Sequence, residues 1–135
     1  MVLDKKFFTT GGSSILLEVP EGSKVNSSAI QELKFLKPNT EYVLTFLVKM
    51  ENVKQKSNRW SGFYLRLDDR DQGAVTVPAG GILLSGSCSW QRFRARLKTA
   101  NSPGKNNAAP YAAFVLRTAT GKVWLDHIQM FEVKK

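Results

Sequence analysis

A two-residue alternation of apolar and polar side chains runs through much of this sequence and constrains the fold more than any other feature. In residues 63–67 the apolar positions are Phe63, Leu65 and Leu67, and residues 93–97 repeat the pattern. Successive side chains of a β-strand point to opposite faces, so this period predicts strands with one buried face. Other segments with the β-branched and aromatic composition of strands are residues 15–19, 29–36, 41–50, 111–118 and 122–133.

Turn-like sequences separate these segments. Residues 20–23 read Pro-Glu-Gly-Ser, and in residues 37–40 Pro38 suits the second position of a tight turn. Residues 101–107 form the longest polar stretch and predict a surface loop. About eight short strands at this spacing predict a sandwich or a barrel. We also expect the last two strands to form a hairpin, with residues 118–121 as its turn.

The length of 135 residues fits one domain, and 42% hydrophobic residues can fill a core. We therefore expect residues 1–135 to form a single all-β domain.

No apolar run approaches the ~20 residues that cross a bilayer, and residues 1–6 lack the apolar region of a signal peptide. A module taken from a larger secreted protein would have the same features.

Residues that could carry catalysis are few. Cys88 is the only cysteine, which excludes an internal disulfide, and a small half-buried residue is the expected reading rather than a nucleophile. His127 is the only histidine, which excludes a multi-histidine zinc site; we expect it to face solvent rather than act as a ligand or pH switch. Residues 68–71 read Asp-Asp-Arg-Asp and suit a solvated turn better than a cation site. The sequence thus predicts a protein that is not an enzyme.

The formal charge is +9, from 20 Lys and Arg against 11 Asp and Glu. Such a surplus attracts polyanions, so nucleic acid, an acidic polysaccharide and an anionic membrane surface are all candidate partners. The alternative is that the charge serves solubility alone.

The order of several motifs resembles a known family. Residues 89–93 read Ser-Trp-Gln-Arg-Phe, and residues 121–130 read Gly-Lys-Val-Trp-Leu-Asp-His-Ile-Gln-Met. Together with residues 13–17 and 36–46, they resemble the carbohydrate-binding modules of the galactose-binding-like jelly-roll superfamily over residues 11–133. The resemblance implies a jelly-roll β-sandwich of two antiparallel sheets and about eight strands. It also implies a non-catalytic module, outside the cell or on its surface, that targets a parent enzyme or surface protein to a polysaccharide.

The N-terminal part departs from the family pattern. Only residues 1–8 precede the turn at Gly11, so the first strand of the family is short or altered here. The resemblance further implies a structural calcium ion held by Asp126. Its expected partners are Asp4, Glu18 or backbone carbonyl groups near Gly11, which are oxygen donors of the kind that calcium prefers.

Sugar rings stack on exposed aromatic faces, and Trp60 is the best such candidate because it follows a polar loop. Tyr64 and Arg66 share the face opposite the apolar positions of their strand. A second strand projects three arginines from one face at ~6.6–7 Å spacing; these are Arg92, Arg94 and Arg96. If both faces belong to one sheet, they form a basic surface with an aromatic ring, which predicts an acidic polysaccharide as ligand. The alternative is a solvated outer face.

Other aromatic residues fit packing roles. Trp90 and Trp124 are typical of packing positions in such sandwiches, and the core phenylalanines are predicted to be Phe35, Phe46, Phe93 and Phe114.

Two functions other than glycan binding remain open for this sequence. A nucleic-acid-binding domain would set the arginines against phosphates and stack bases on Trp60 or Tyr64. A protein-interaction or spacer domain would bind no glycan and would expose an apolar patch.

Overall fold

The computed structural model describes residues 2–9, 14–70, 74–78, 83–100 and 109–134, with the side chains of residues 2–9 and 134 left out of the description. These residues form nine β-strands and no helix, so none of them belongs to a helix that could cross a bilayer. The strands are β1 (Val2–Thr9), β2 (Ile15–Val19), β3 (Ser27–Glu32), β4 (Glu41–Gln55), β5 (Gly62–Asp68), β6 (Ala74–Val77), β7 (Gly86–Lys98), β8 (Tyr111–Arg117) and β9 (Ala119–Lys134).

The strands form two antiparallel sheets. Sheet A has the order β1-β9-β4-β7, with β2 also on β9, and sheet B has the order β3-β8-β5-β6. Strands β1 and β2 lie end to end on the same edge of β9, because β1 pairs with residues 129–134 and β2 with residues 121–125. Each layer therefore has four strand positions, and the predicted sandwich of about eight strands is confirmed.

One core lies between the sheets, and it includes the predicted inward residues Phe63, Leu65 and Leu67. The Phe46 ring stacks on Phe93 at 5.8 Å and meets Phe114 edge-on at 5.1 Å, so these phenylalanines join β4, β7 and β8. Phe35 is half-buried and packs against the same core. The half-buried Cys88 also contacts this core, as expected.

The predicted hairpin of the last two strands is wrong. Strand β8 lies between β3 and β5 in sheet B, whereas β9 lies in the middle of sheet A. Thr118, with φ 46°, is the single residue at which the chain changes sheets. Gly121 has φ +125°, and a Cβ there would lie 2.6 Å from the Asn52 carbonyl oxygen. This glycine therefore permits close approach of β4 and does not belong to the predicted turn at residues 118–121.

Several strand limits also differ from the sequence prediction. Strands β4 and β7 extend to Gln55 and back to Gly86, and β3 ends at Glu32 rather than at residue 36. Strand β1 is an eight-residue strand with two register shifts against β9. The four-residue edge strand β6 was not predicted. The predicted loop at residues 101–107 lies outside the described residues.

Buried polar side chains fix one end of the sandwich. The Thr99 hydroxyl donates to the Lys37 carbonyl oxygen and accepts from the Thr40 amide at 2.9 Å. The fully buried Asp69 carboxylate accepts from the Ala100 amide at 3.0 Å. These bonds join the predicted turn at residues 37–40 and the end of β5 to the end of β7. The expected solvated turn at residues 68–71 is therefore wrong for Asp68 and Asp69, which are buried and hydrogen-bonded. Asp71 lies outside the described residues.

Candidate functional site

A groove of about 520 Å³ lies on the outer face of sheet B. Alternation turns Phe63, Leu65 and Leu67 of β5 into the core, so the residues between them face outward. The groove is lined by Ile30, Glu32, Tyr64, Arg66, Arg70, Ala109, Tyr111, Ala113 and Val115.

The pairing register explains the shape of this groove. Ala113 on β8 lies directly opposite Ile30 on β3 and opposite Arg66 on β5. Because alanine is the smallest of these side chains, the floor of the sheet is lowest between its two longer neighbours. In the next row Tyr111 lies opposite Glu32 and Asp68. Aliphatic, aromatic and charged groups therefore face one depression.

Trp60 borders the groove through Tyr64. The two rings meet edge to face, with 6.2 Å between centroids and 73° between planes, and Trp60 keeps 40% of its surface exposed. The neighbouring Ser61 is fully buried. Its hydroxyl donates to the Thr118 carbonyl oxygen and accepts from the Lys56 amide at 2.9 Å. Ser61 thus anchors the end of the polar loop and holds Trp60 beside β5.

Asp68 positions two arginines in the groove. Its Oδ2 lies 3.5 Å from Arg66 Nη2, and its Oδ1 accepts from the Arg70 amide at 2.8 Å. The Arg70 guanidinium lies over the Tyr111 ring, 4.7 Å from its centroid. Partial burial lowers the pKa of Arg66, but interactions with Tyr111 and Asp68 offset this, so the net pKa is raised. The Arg66 guanidinium is therefore held beside Asp68, and the Arg70 guanidinium is held over the Tyr111 ring.

The structure brings together three of the six predicted ligand-binding residues, namely Trp60, Tyr64 and Arg66. The other three lie on β7 in sheet A, exposed on the outer face of the opposite layer; they are Arg92, Arg94 and Arg96. The two strands turn their apolar residues into the same core, so their polar faces point away from each other. The single basic surface that the sequence prediction required therefore does not form.

Seven of the nine lining residues were missed from the sequence, namely Ile30, Glu32, Arg70, Ala109, Tyr111, Ala113 and Val115. A signal for Tyr111 exists, because the inward Phe114 places Tyr111, Ala113 and Val115 on the outer face by alternation. The packing role predicted for Trp90 is wrong, because its side chain is 43% exposed. Trp124 is half-buried beneath Lys49, whose Nζ lies 5.2 Å from the ring centroid.

The structure narrows the choice of groups that could share the expected calcium ion with Asp126. Its Oδ2 accepts from the Ser14 hydroxyl at 3.3 Å, and its Oδ1 accepts from the His127 amide at 2.7 Å. Glu18 is not beside it, because Glu18 pairs with Lys122 at 3.6 Å, four residues along β9. His127 itself is 62% exposed at its side chain.

Asp4 is also too distant to share an ion with Asp126. Strand β1 places Leu3 opposite Val133 and Lys5 opposite Glu132, which is about 20 Å along β9 from Asp126 at the usual rise per residue. Within the described part of the chain, no three His, Cys, Asp or Glu side chains could hold a metal together. The remaining expected donors are carbonyl groups near Gly11. That residue lies outside the description, but its flanking residues Thr9 and Ile15 pair with Gln129 and Leu125, on either side of Asp126.

No protein-family model matches the sequence, and no curated protein is similar to it at a significant level. Solved structures are similar. A family 16 carbohydrate-binding module superposes with a TM-score of 0.54 at 17% identity, covering 93% of this chain and 79% of the other. A CBM4 module has a TM-score of 0.54 at 11% identity, covering 96% and 77%. A cyclase from Fischerella sp. TAU has a TM-score of 0.53 at 15% identity, covering 80% and 57%.

At these identities the likeness shows the fold alone. Both binding modules and a cyclase have it, so the fold does not decide between binding and catalysis. The chain has the jelly-roll β-sandwich fold shared by these carbohydrate-binding modules.

Proposed function

We propose that this chain is a non-catalytic carbohydrate-binding module and that the groove on sheet B binds a segment of a polysaccharide. The observation that carries the proposal is the aromatic lining of the groove. Tyr64 and Tyr111 line it and Trp60 borders it, while Arg66 and Glu32 stand at the same depression. Aromatic faces suit the C–H faces of sugar rings, and a few fixed polar groups orient the hydroxyl groups.

The charge of the groove bears on the class of glycan. Arg66 and Arg70 are balanced by Glu32 and by Asp68, which holds both arginines. Arg92, Arg94 and Arg96 lie on the other layer, so an acidic polysaccharide in this groove would have to draw the Arg66 guanidinium away from Asp68 or the Arg70 guanidinium away from the Tyr111 ring. A balanced site favours the hydroxyl groups of a neutral glycan, so we propose a neutral polysaccharide as the first ligand to test.

The carboxylates of the groove support binding without catalysis. Glycoside hydrolysis in most families uses two carboxylic acids about 5–10 Å apart, one of which gives or takes a proton. Here the Asp68 side chain is 9% exposed and both of its oxygens are engaged by arginines. Among the described lining residues this leaves Glu32 as the one accessible carboxylate, and it pairs with Lys34 at 3.3 Å.

The proposal is tested with an array of neutral and acidic glycans, probed with the folded chain at low and at high salt. Binding of neutral glycans that survives high salt would support stacking in the groove. Hits confined to acidic glycans and lost in salt would favour charge pairing. An empty array with a folded chain would favour the protein-interaction or spacer domain, and equal binding of single-stranded DNA would favour the nucleic-acid alternative.

Two further parts of the proposal concern the parent protein and a structural metal ion. We propose that the module belongs to a larger protein outside the cell or on its surface, and that it holds a catalytic domain of the same chain near the polysaccharide. We also propose a structural calcium ion at Asp126. The Asp126 carboxylate would supply one oxygen ligand, and Thr9 and Ile15 pair with Gln129 and Leu125 on either side of Asp126.

A further inference from the structure

A second surface lies on β7, far from the groove. This strand runs for 13 residues along the edge of sheet A, and β4 is its only partner strand among the described residues. Its Phe93, Ala95 and Leu97 face the core, and the residues between them face outward. We define the β7 stripe as the outward residues Arg92, Arg94 and Arg96.

The stripe carries positive charge that its own sheet neutralises only at Arg96 within the described residues. On β4 the residues opposite the three arginines are Leu47, Thr45 and Val43, all uncharged. Arg96 pairs with Glu41 at 3.3 Å. Arg92 and Arg94 are exposed and make no ion pair with any residue in the described ranges. Two arginines in succession are thus available to an anionic partner.

The geometry of the stripe matches a peptide strand. Outward residues of one strand repeat every ~6.8 Å, and an added antiparallel strand carries its own outward side chains at the same interval, ~5 Å away. The edge of β7 also offers backbone donors and acceptors to such a strand. On the other face of β7, the half-buried Phe93 stacks on Phe46 and would be covered by an apolar side chain of the added strand.

We propose that the β7 edge binds an extended peptide in which acidic residues alternate with apolar or β-branched ones. Its carboxylates pair with Arg92 and Arg94, its apolar residues extend the core at Phe93, and its backbone adds a strand to sheet A. A second copy of this chain is a poor occupant, because its β7 would set arginines against arginines. The proposal is independent of the glycan groove.

The direct test uses a short fluorescent peptide of alternating Glu and Val, flanked by Gly and Ser, and a control peptide with Lys in place of Glu. We expect the wild-type chain to bind only the Glu peptide. The double variant Arg92→Gln, Arg94→Gln should bind it about 10-fold more weakly, from two lost ion pairs. The double variant Arg92→Glu, Arg94→Glu should reverse the preference and bind the Lys peptide.

The double variant Lys24→Gln, Lys34→Gln is the matched control, because it removes two positive charges from exposed positions outside β7; its affinity for the Glu peptide should equal that of wild type. Failure of the Glu peptide to bind the wild-type chain, or unchanged binding by the charge-reversed variant, would overturn the proposal.

A second measurement separates strand addition from general attraction of polyanions. Alternate amides of an edge-bound peptide face β7, so N-methylation of one alternate set should abolish binding and N-methylation of the other should not. If neither set matters, and an oligogalacturonate of equal charge competes as well as the peptide, the stripe is a polyanion surface and the peptide proposal is wrong.

Discussion

Arg66 and Ala113 lie directly opposite each other on neighbouring strands of sheet B, although 47 residues separate them in the chain. This pairing sets the long guanidinium beside the lowest point of the groove floor. The same register puts Asp68 opposite Tyr111, so that one carboxylate and one aromatic ring hold Arg66 and Arg70. The chemistry of the groove thus follows from strand register.

The first prediction concerns the aromatic border of the groove. Tyr64→Ala and Trp60→Ala should each lower glycan affinity about 10-fold or more, because a buried aromatic anchor commonly contributes over 1 kcal/mol to binding. The measurement is calorimetric titration with the best ligand from the array. Trp90→Ala is the matched control, since Trp90 is similarly exposed, at 43%, but lies on β7. An equal loss in Trp90→Ala would place the site elsewhere.

The second prediction concerns Asp68. Asp68→Asn removes the negative charge that faces the Arg66 guanidinium and accepts from the Arg70 amide, so it should weaken glycan binding and lower the free energy of unfolding by about 1–3 kcal/mol. Urea unfolding and titration of the same variant check both effects. Glu32→Gln, at an exposed carboxylate in the same row, should leave stability within about 0.5 kcal/mol of wild type. Equal destabilisation by the two variants would contradict this role for Asp68.

The third prediction concerns two glycines that permit close backbone approach. Gly62 has φ +127°, and an added Cβ would lie 2.4 Å from the Leu84 carbonyl oxygen. Gly62→Ala should therefore destabilise the fold by about 3 kcal/mol or more, with Gly121→Ala similar. Gly22 has φ +84° with open space around it, so Gly22→Ala should cost only about 1 kcal/mol. Thermal unfolding of the three variants tests this order.

The fourth prediction concerns pH. Burial raises the pKa of the Tyr42 hydroxyl, although its hydrogen bond from the Lys37 amide acts in the opposite direction. The unfolded chain therefore loses this proton first, so Tyr42 contributes stability that is present below pH ~10 and falls as pH rises further. In Tyr42→Phe this contribution is absent. The free energy of unfolding of wild type should therefore fall relative to that of the variant as the pH rises above ~10. A constant difference in urea unfolding across that range would contradict the raised pKa.

The fifth prediction concerns calcium. If Asp126 holds the proposed ion, calcium should raise the unfolding temperature of the wild-type chain, and a chelator should reverse the shift. Asp126→Ala should not respond. Asp4→Ala should respond like wild type, because its register places it far from Asp126. No shift in the wild-type chain after chelation and calcium addition would remove the calcium proposal.

Alternation along the sequence was sufficient to separate inner from outer residues. It placed Phe63 and Leu65 on the core face of β5 and Tyr64 and Arg66 on the outer face, where Tyr64 packs against Trp60 and is 7% exposed. It separated Ala95 and Leu97 from the three arginines in the same way. These assignments depend on local geometry, which a period of two residues reports directly.

Alternation could not predict which strands lie side by side in a sheet. A period of two residues is the same whichever strand lies alongside, so the sequence left open whether Tyr64 and Arg94 share a sheet. The turn at Thr118 indicated a change of direction, but the change of sheet depends on non-local pairing of β9 with β4. For the same reason Tyr111 and Arg70 were missed, because they join the site only once β8 pairs with β5.

The central claim is that the outer face of sheet B binds a glycan. Titration of the isotope-labelled chain with an oligosaccharide of the ligand, followed by amide and side-chain NMR signals, tests it most directly. The account predicts that the largest shifts fall on Trp60, Tyr64, Arg66 and Tyr111, with little change at Arg92 and Arg94. Shifts confined to β7, or to the loops at the ends of the sandwich, would contradict it.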